Sequence, residues 1–198
     1  VLITSAGSTV GIICGYCGGV VDNILMRIAD IFLAFPGIVF AIAVASVLSG
    51  GITSAVIAVA AVSWPKYARL ARSEVLSVCA SDYIKAARMS GMSEFGIIIK
   101  HIIPNIAGII VTTALLDIGH MMMEIAGLSF LGLGAAPPAA EWGAMMSNGR
   151  SMLQTAPWII LAPGVAIFVS VLIFNMFGES VKTRWNKNNR RTGYAGRQ

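Results

Sequence analysis

Charge is what this sequence has least of: 14 Lys and Arg with 9 Asp and Glu make up 12% of 198 residues, against 57% hydrophobic residues and a mean hydropathy of +0.80. That is about half the usual charged share. So little polar surface cannot cover a water-soluble globule that also buries its apolar residues, so the lipid bilayer must be part of the solvent. Cysteine is scarce as well. Cys14, Cys17 and Cys79 make no disulfide framework. Cys14 and Cys17 have a spacing that redox or metal chemistry can use, but they share one helix face in a Gly-rich run, where small residues serve close helix packing. A phosphate-binding loop, a serine triad, a paired metal motif and a dinucleotide fingerprint are all missing, so nothing marks the chain as binding ATP or catalysing a reaction. The start, at Val1, lacks the charged region of a signal peptide.

What is present is a set of long uncharged runs: Val1 to Val21, Ile31 to Pro65, Ile102 to Leu116 with a polar-interrupted continuation to Ala140, and Ser151 to Gly178. A spanning helix takes about 20 residues at about 1.5 Å each. The second run is long enough for two helices and is broken at Gly50-Gly51, between Ser49 and Thr53, which predicts a tight turn. Five spans are expected, near 1–21, 28–48, 52–72, 103–133 and 157–178. The fold class is therefore all-α, a polytopic integral membrane helix bundle. An open sheet would leave its edges unpaired in lipid, and continuous apolar runs do not fit the alternation of a β-barrel.

The basic residues then set orientation. Arg27, Lys66, Arg69, Arg72, Lys85, Arg88, Lys100, Lys182, Arg184, Lys187, Arg190, Arg191 and Arg197 fall on one side of these spans, and Arg150 stands alone on the other. The positive-inside rule makes the crowded side cytoplasmic, including a basic tail over 179–198. Orientation thus accounts for the pI near 9.4. The tail has no folded reader and no stacking aromatics beyond Trp185 and Tyr194, which argues against a nucleic-acid partner. Five spans with a cytoplasmic end place Val1 outside, so six spans are expected in the intact protein. Arg27 and Asp30, at i and i+3, are expected to pair or to snorkel to the interface. Pro36, Pro104 and Pro163 are candidate kinks.

Residues 81–104 form the least membrane-like connection. Ser81 or Asp82 is placed to cap a short helix, Gly91 to end it in a left-handed conformation, and Ser93 to cap a second helix with Glu94 in its first turn. Two short helices with a sharp corner at the membrane surface can transmit a push; an ordinary interfacial loop is the alternative.

Ala86-Ala87, Gly91 and, after nine intervening residues, His101, then Ile103 and Pro104, resemble the EAA signature of permease subunits of bacterial ATP-binding-cassette importers. Lys85 stands where the signature has Glu, and His101 where it has Ile, departures similar to those of the dipeptide/oligopeptide/nickel branch. Ala126-Gly127-Leu128-Ser129-Phe130-Leu131-Gly132-Leu133-Gly134, then Pro137-Pro138 and Glu141-Trp142-Gly143, resemble a stretch of the second permease of those systems. The resemblance implies a type I permease fold in a single transmembrane domain over 1–198, within a bacterial inner membrane. It also implies that 81–104 is a coupling-helix loop docking on an ATPase, with Lys85, Ala86, Ala87, Arg88, Gly91 and Pro104 as coupling residues. The implied partners are a second permease subunit, two ATPase subunits and an extracytoplasmic substrate-binding protein, besides membrane lipid. No cofactor is implied for this chain, ATP and Mg being used by the ATPase subunits.

Asp117, His120 and Glu124 interrupt the expected span 103–133 and lie within about 60° of one another on a helix, with Met121 on the same side. A mid-membrane charge costs about 2.5 to 3.5 kcal/mol, so this stripe should face protein or a wet cavity. It can be a packing cluster, with Asp117 bonded to His120, or a translocation pathway. Imidazole, carboxylate and thioether suit nickel and related ions, with His120 as a transient ligand and no tight metal site. By resemblance, Leu116 to Met122 looks more like nickel-import permeases than dipeptide ones. The outer segment 135–157, with Trp142, Met145, Met146 and Arg150, reads as an interfacial belt, and by resemblance as part of the surface receiving substrate. A stand-alone channel, a secondary transporter or a structural membrane protein are the rival classes.

Overall fold

In the computed structural model the backbone is described for residues 1–135 and 138–195, and side chains for the same residues as far as 185. Pro137, Arg197 and the side chains of Lys187, Arg190 and Arg191, all named above, lie outside the described set. Among the described residues every regular element is helical: α1 Leu2–Cys17, α2 Gly19–Ala34, α3 Gly37–Val47, α4 Ile52–Cys79, α5 Asp82–Met89, α6 Glu94–Ile97, a π-turn Ile98–Ile102, α7 Ile103–Phe130, α8 Trp142–Asn148, a 3₁₀ turn Gly149–Met152, and α9 Trp158–Ala195.

By length and composition, two helices among the described residues can cross a membrane: the continuous stretch Glu94–Phe130 and Trp158–Trp185. A third candidate is the pair α2 and α3, which meet at 95°. The expected second span, 28–48, is therefore corrected. Its helix starts nine residues earlier at Gly19 and breaks at Phe35-Pro36, because proline disfavours a helical residue before it and cannot donate a backbone hydrogen bond. α1 is 16 residues long. The Gly50-Gly51 turn is present, with positive φ at Ser49, Gly50 and Gly51, and α4 continues through Pro65 to Cys79. α9 does not stop at the expected boundary near 178 but carries helix into the basic tail.

The chain divides into two compact units, residues 1–34 with 63–114, and residues 35–62 with 115–198. In the first unit α1 lies on α4. Gly7, Gly11 and Gly15 repeat every fourth residue; a Cβ at Gly7 would stand 2.5 Å from the Trp64 carbonyl oxygen, and one at Gly15 would stand 2.9 Å from that of Arg72. Only glycine lets the backbones approach so closely. Cys14 is fully buried, whereas Cys17, expected to pack on the same face, is exposed. Ion pairs and a ring contact tie α2 to α4. Arg72 donates from Nε and Nη2 to the two Asp22 carboxylate oxygens at 2.5 and 2.6 Å, Arg69 donates to Asp30 at 2.6 Å, and Phe32 meets Trp64 edge-on at 5.7 Å. Asp30 thus pairs across to α4 rather than with Arg27, because the neighbouring helix presents a guanidinium on the face where Asp30 projects.

In the second unit α7 and α9 touch at glycines: a Cβ on Gly119 would lie 3.1 Å from Val171, and one on Gly178 would lie 2.8 Å from Leu116. α7 ends in a glycine corner. Gly132 has φ +83°, its N–H donates to the Ser129 carbonyl and the Leu133 N–H to that of Leu128, the paired bonds of a Schellman cap.

Candidate coupling and translocation sites

α5 begins at Ser81 with extended backbone, but the Ser81 hydroxyl donates to the Val78 carbonyl at 2.5 Å instead of capping the helix. Asp82 occupies the first turn, where the helix dipole favours an anion, and accepts from Lys85 at 2.9 Å; that hydrogen bond holds its carboxyl below the usual aspartate range. Lys85, Ala86 and Arg88 are exposed, and Ala87 is half-buried. The helix ends where expected. Gly91 has φ +79°, and the Gly91 and Met92 N–H groups donate to the carbonyls of Arg88 and Ala87, a second Schellman cap. No atom lies within 4 Å of a Cβ built at Gly91, so backbone conformation, not crowding, asks for glycine there.

Beyond the corner, the Ser93 hydroxyl accepts from the Gly96 N–H at 3.2 Å, the predicted cap. The second helix does not stand alone: α6 passes through the π-turn into α7 without a break. Pro104 accounts for the turn. It has no N–H to offer and its ring crowds the carbonyl four residues back, while the Ile103 N–H reaches five residues back to Ile98. Within the turn His101 stacks at a tilt on Tyr83, with ring centroids 6.1 Å apart, and its Nε2 is buried without a hydrogen-bond partner.

Two sets of residues at this site escaped the sequence reading. Ile84 is fully buried and anchors α5 in a cluster with Ala71, Val75, Ile97, Ile102, Ile106 and Ile110; the i+13 spacing of Ile84 and Ile97 across a corner follows no helical period. Tyr16, from α1, donates its hydroxyl to Glu94 and accepts from Arg88 at 3.4 Å. Outward, the loop presents Met89 and Phe95, 89% and 72% exposed.

The α7 stripe divides. The Glu124 side chain is 14% exposed and that of His120 72%, with Nδ1 and Oε1 3.6 Å apart one turn along the helix. His120 and Glu124 are i, i+4 neighbours and face each other across that distance. Glu124 Oε1 lies 3.8 Å from a Cβ built on Gly37, the first residue of α3, where the positive end of that helix favours a carboxylate. Asp117 and Met121 are half-buried. Among the described residues, no three His, Cys, Asp or Glu side chains are grouped to hold a metal ion.

The Glu141-Trp142-Gly143 string has a structural account. The Glu141 carboxylate accepts from the Ala144 N–H at 2.9 Å, capping α8, and a Cβ on Gly143 would stand 2.8 Å from the Ala126 carbonyl carbon. Arg150 sits over the Phe130 ring at 3.9 Å. These contacts fasten the outer segment to the end of α7.

Residues 7–187 match the family described as the inner membrane component of binding-protein-dependent transport systems. The chain belongs to that family. It is 44% identical over 176 residues to a dipeptide transport system permease protein from Alkalihalophilus pseudofirmus, covering 89% of this chain and 58% of the relative. A glutathione transport system permease protein from Pectobacterium atrosepticum is 43% identical over 176 residues, with the same coverage. A nickel transport system permease protein from Escherichia coli is 38% identical over 181 residues, 91% of this chain and 65% of the relative. The chain spans about three fifths of the length of these curated relatives. Within this permease family the match contains the whole stretch from the α1 glycines to the start of the basic tail.

Proposed function

We propose that this chain is a permease subunit of an ATP-binding-cassette importer, forming half of a translocation pore with a second permease, and that α5 is the part ATPase subunits move. The observation that carries this is the coupling loop. α5 is held by Ile84, turns at a glycine corner, runs through α6 into a membrane-length helix, and leaves Met89 and Phe95 facing outward. Exposed apolar side chains on an otherwise polar loop suit a protein partner. ATP and Mg belong to that partner, and an extracytoplasmic binding protein delivers substrate to the side bearing α8. The tail lies in the cytoplasm.

For the substrate, the higher identities to dipeptide and glutathione permeases support a small peptide. Nickel is the second reading, favoured by the His120–Glu124 pair and by the match to a nickel permease. Uptake of labelled dipeptide, glutathione and Ni²⁺ in cells lacking and then regaining the full-length subunit separates these. In the same cells Gly91→Trp should abolish uptake while the subunit still inserts; normal uptake by that variant would overturn the coupling assignment.

A further inference from the structure

We propose that Tyr16 is a positioning residue that braces the coupling loop against α1 and so keeps its corner from flexing; this rests on the coupling role proposed for α5. Apart from Tyr16, the corner is held by apolar packing of Ile84, Met92 and Ile97 on one cluster and, among the described residues, without a further polar tie from α1. Gly91 has no atom within 4 Å of its Cβ position, and α5 has one fully buried residue, Ile84. Arg88 and Glu94 flank the corner, one on each helix, and approach to 3.3 Å, but their side chains are 46% and 61% exposed. A pair so wet contributes little by itself.

Tyr16 turns the pair into a three-sided frame. Its hydroxyl donates to Glu94 on α6 and accepts from Arg88 on α5, and the guanidinium lies 5.8 Å from its ring centroid. The tyrosine is itself fixed, because its body packs on the Ile84 cluster and α1 lies on α4 through Gly7, Gly11 and Gly15. It stands in the last turn of α1, just before Gly18 with φ +61°. Displacement of α5 is therefore passed to α1 and α4 instead of being absorbed at Gly91.

Tyr16→Phe keeps the ring and its packing and removes only the hydroxyl. The full-length variant is reconstituted with its partner permease and ATPase subunits in proteoliposomes. Transport of Ni²⁺, a dipeptide and glutathione is measured together with ATP hydrolysis, and backbone amide exchange of residues 92–95 is followed in the same complexes. The expected result is about fivefold less substrate moved per ATP, the factor one net hydrogen bond supplies. Assembly and the rate of hydrolysis stay at wild-type levels, and exchange at 92–95 becomes several-fold faster. An unchanged transport ratio with unchanged exchange overturns the brace. If the wild-type chain assembles with no ATPase, the importer reading fails instead; if the assembled complex carries none of the three probes, the substrate readings fail; in either case the amide exchange alone decides whether the brace exists.

Discussion

His120 and Glu124 show how two polar residues on one stripe are given different tasks by their surroundings. Glu124 is tucked against the first turn of α3, whereas the His120 side chain is largely exposed. His120→Ala should leave the fold intact and, if the solute is a metal species, weaken its uptake about tenfold; unchanged uptake kinetics would mean that the ring is dispensable. Glu141 has a structural task, capping α8. Replacing it by Ala removes the α8 cap and should destabilise the subunit by about 1 kcal/mol, measurable as a lower midpoint in thermal unfolding in detergent. At this scale the sequence was informative about residue type and poor about partners. Gly91 and Ser93 could be placed because their tasks are local, an αL corner and a cap. Asp30 and Ser81 could not, since a guanidinium on another helix and a carbonyl in the preceding turn outcompeted the neighbours expected for them.

Elements were legible where apolar runs are long, and misjudged where a short-range device interrupts them. The runs behind α7 and α9 stand out by hydropathy alone. Pro36 was a candidate kink, but the 95° size of the turn and the start of α2 at Gly19 were not legible, because a proline marks where a helix can break and not by how much. α1 carries a signal that spacing does contain: glycines at 7, 11 and 15 define one face, the one against α4. Gly11→Leu should cost about 1 to 3 kcal/mol by forcing these backbones apart, seen as a lower unfolding midpoint and as loss of α1 protection in amide exchange. The ion pair between α2 and α4 offers a second test. Arg72→Met strands Asp22 and, with Arg72 a third exposed, should cost about 1 to 2 kcal/mol, while Arg72→Met with Asp22→Leu should recover most of it.

For the whole molecule, an all-helical, bilayer-adapted chain was legible from scarcity of charge, because no other solvent tolerates so apolar a composition. The division into two units was not, since it depends on which halves of α4 and α7 pack with which neighbours. Purifying the tagged full-length subunit under gentle conditions should bring with it an ATPase and a second permease; a lone homo-oligomer would argue for a channel. Cysteines placed in the tail should react with an impermeant thiol reagent only when it is supplied from the cytoplasmic side.

The π-turn before Pro104 has a consequence for insertions and deletions. A π-turn is one residue more than an α-helix needs, and each helical residue turns the chain by about 100°. Deleting one residue between Ile98 and Ile102 would shorten the stretch by one residue but keep its hydropathy and the proline; with Pro104 still imposing a π-turn, the register of everything before the turn shifts and the corner rotates about the α7 axis by roughly that angle. Met89 and Phe95 would then point elsewhere. The extra residue acts as an angular setting, the dial that aims the loop.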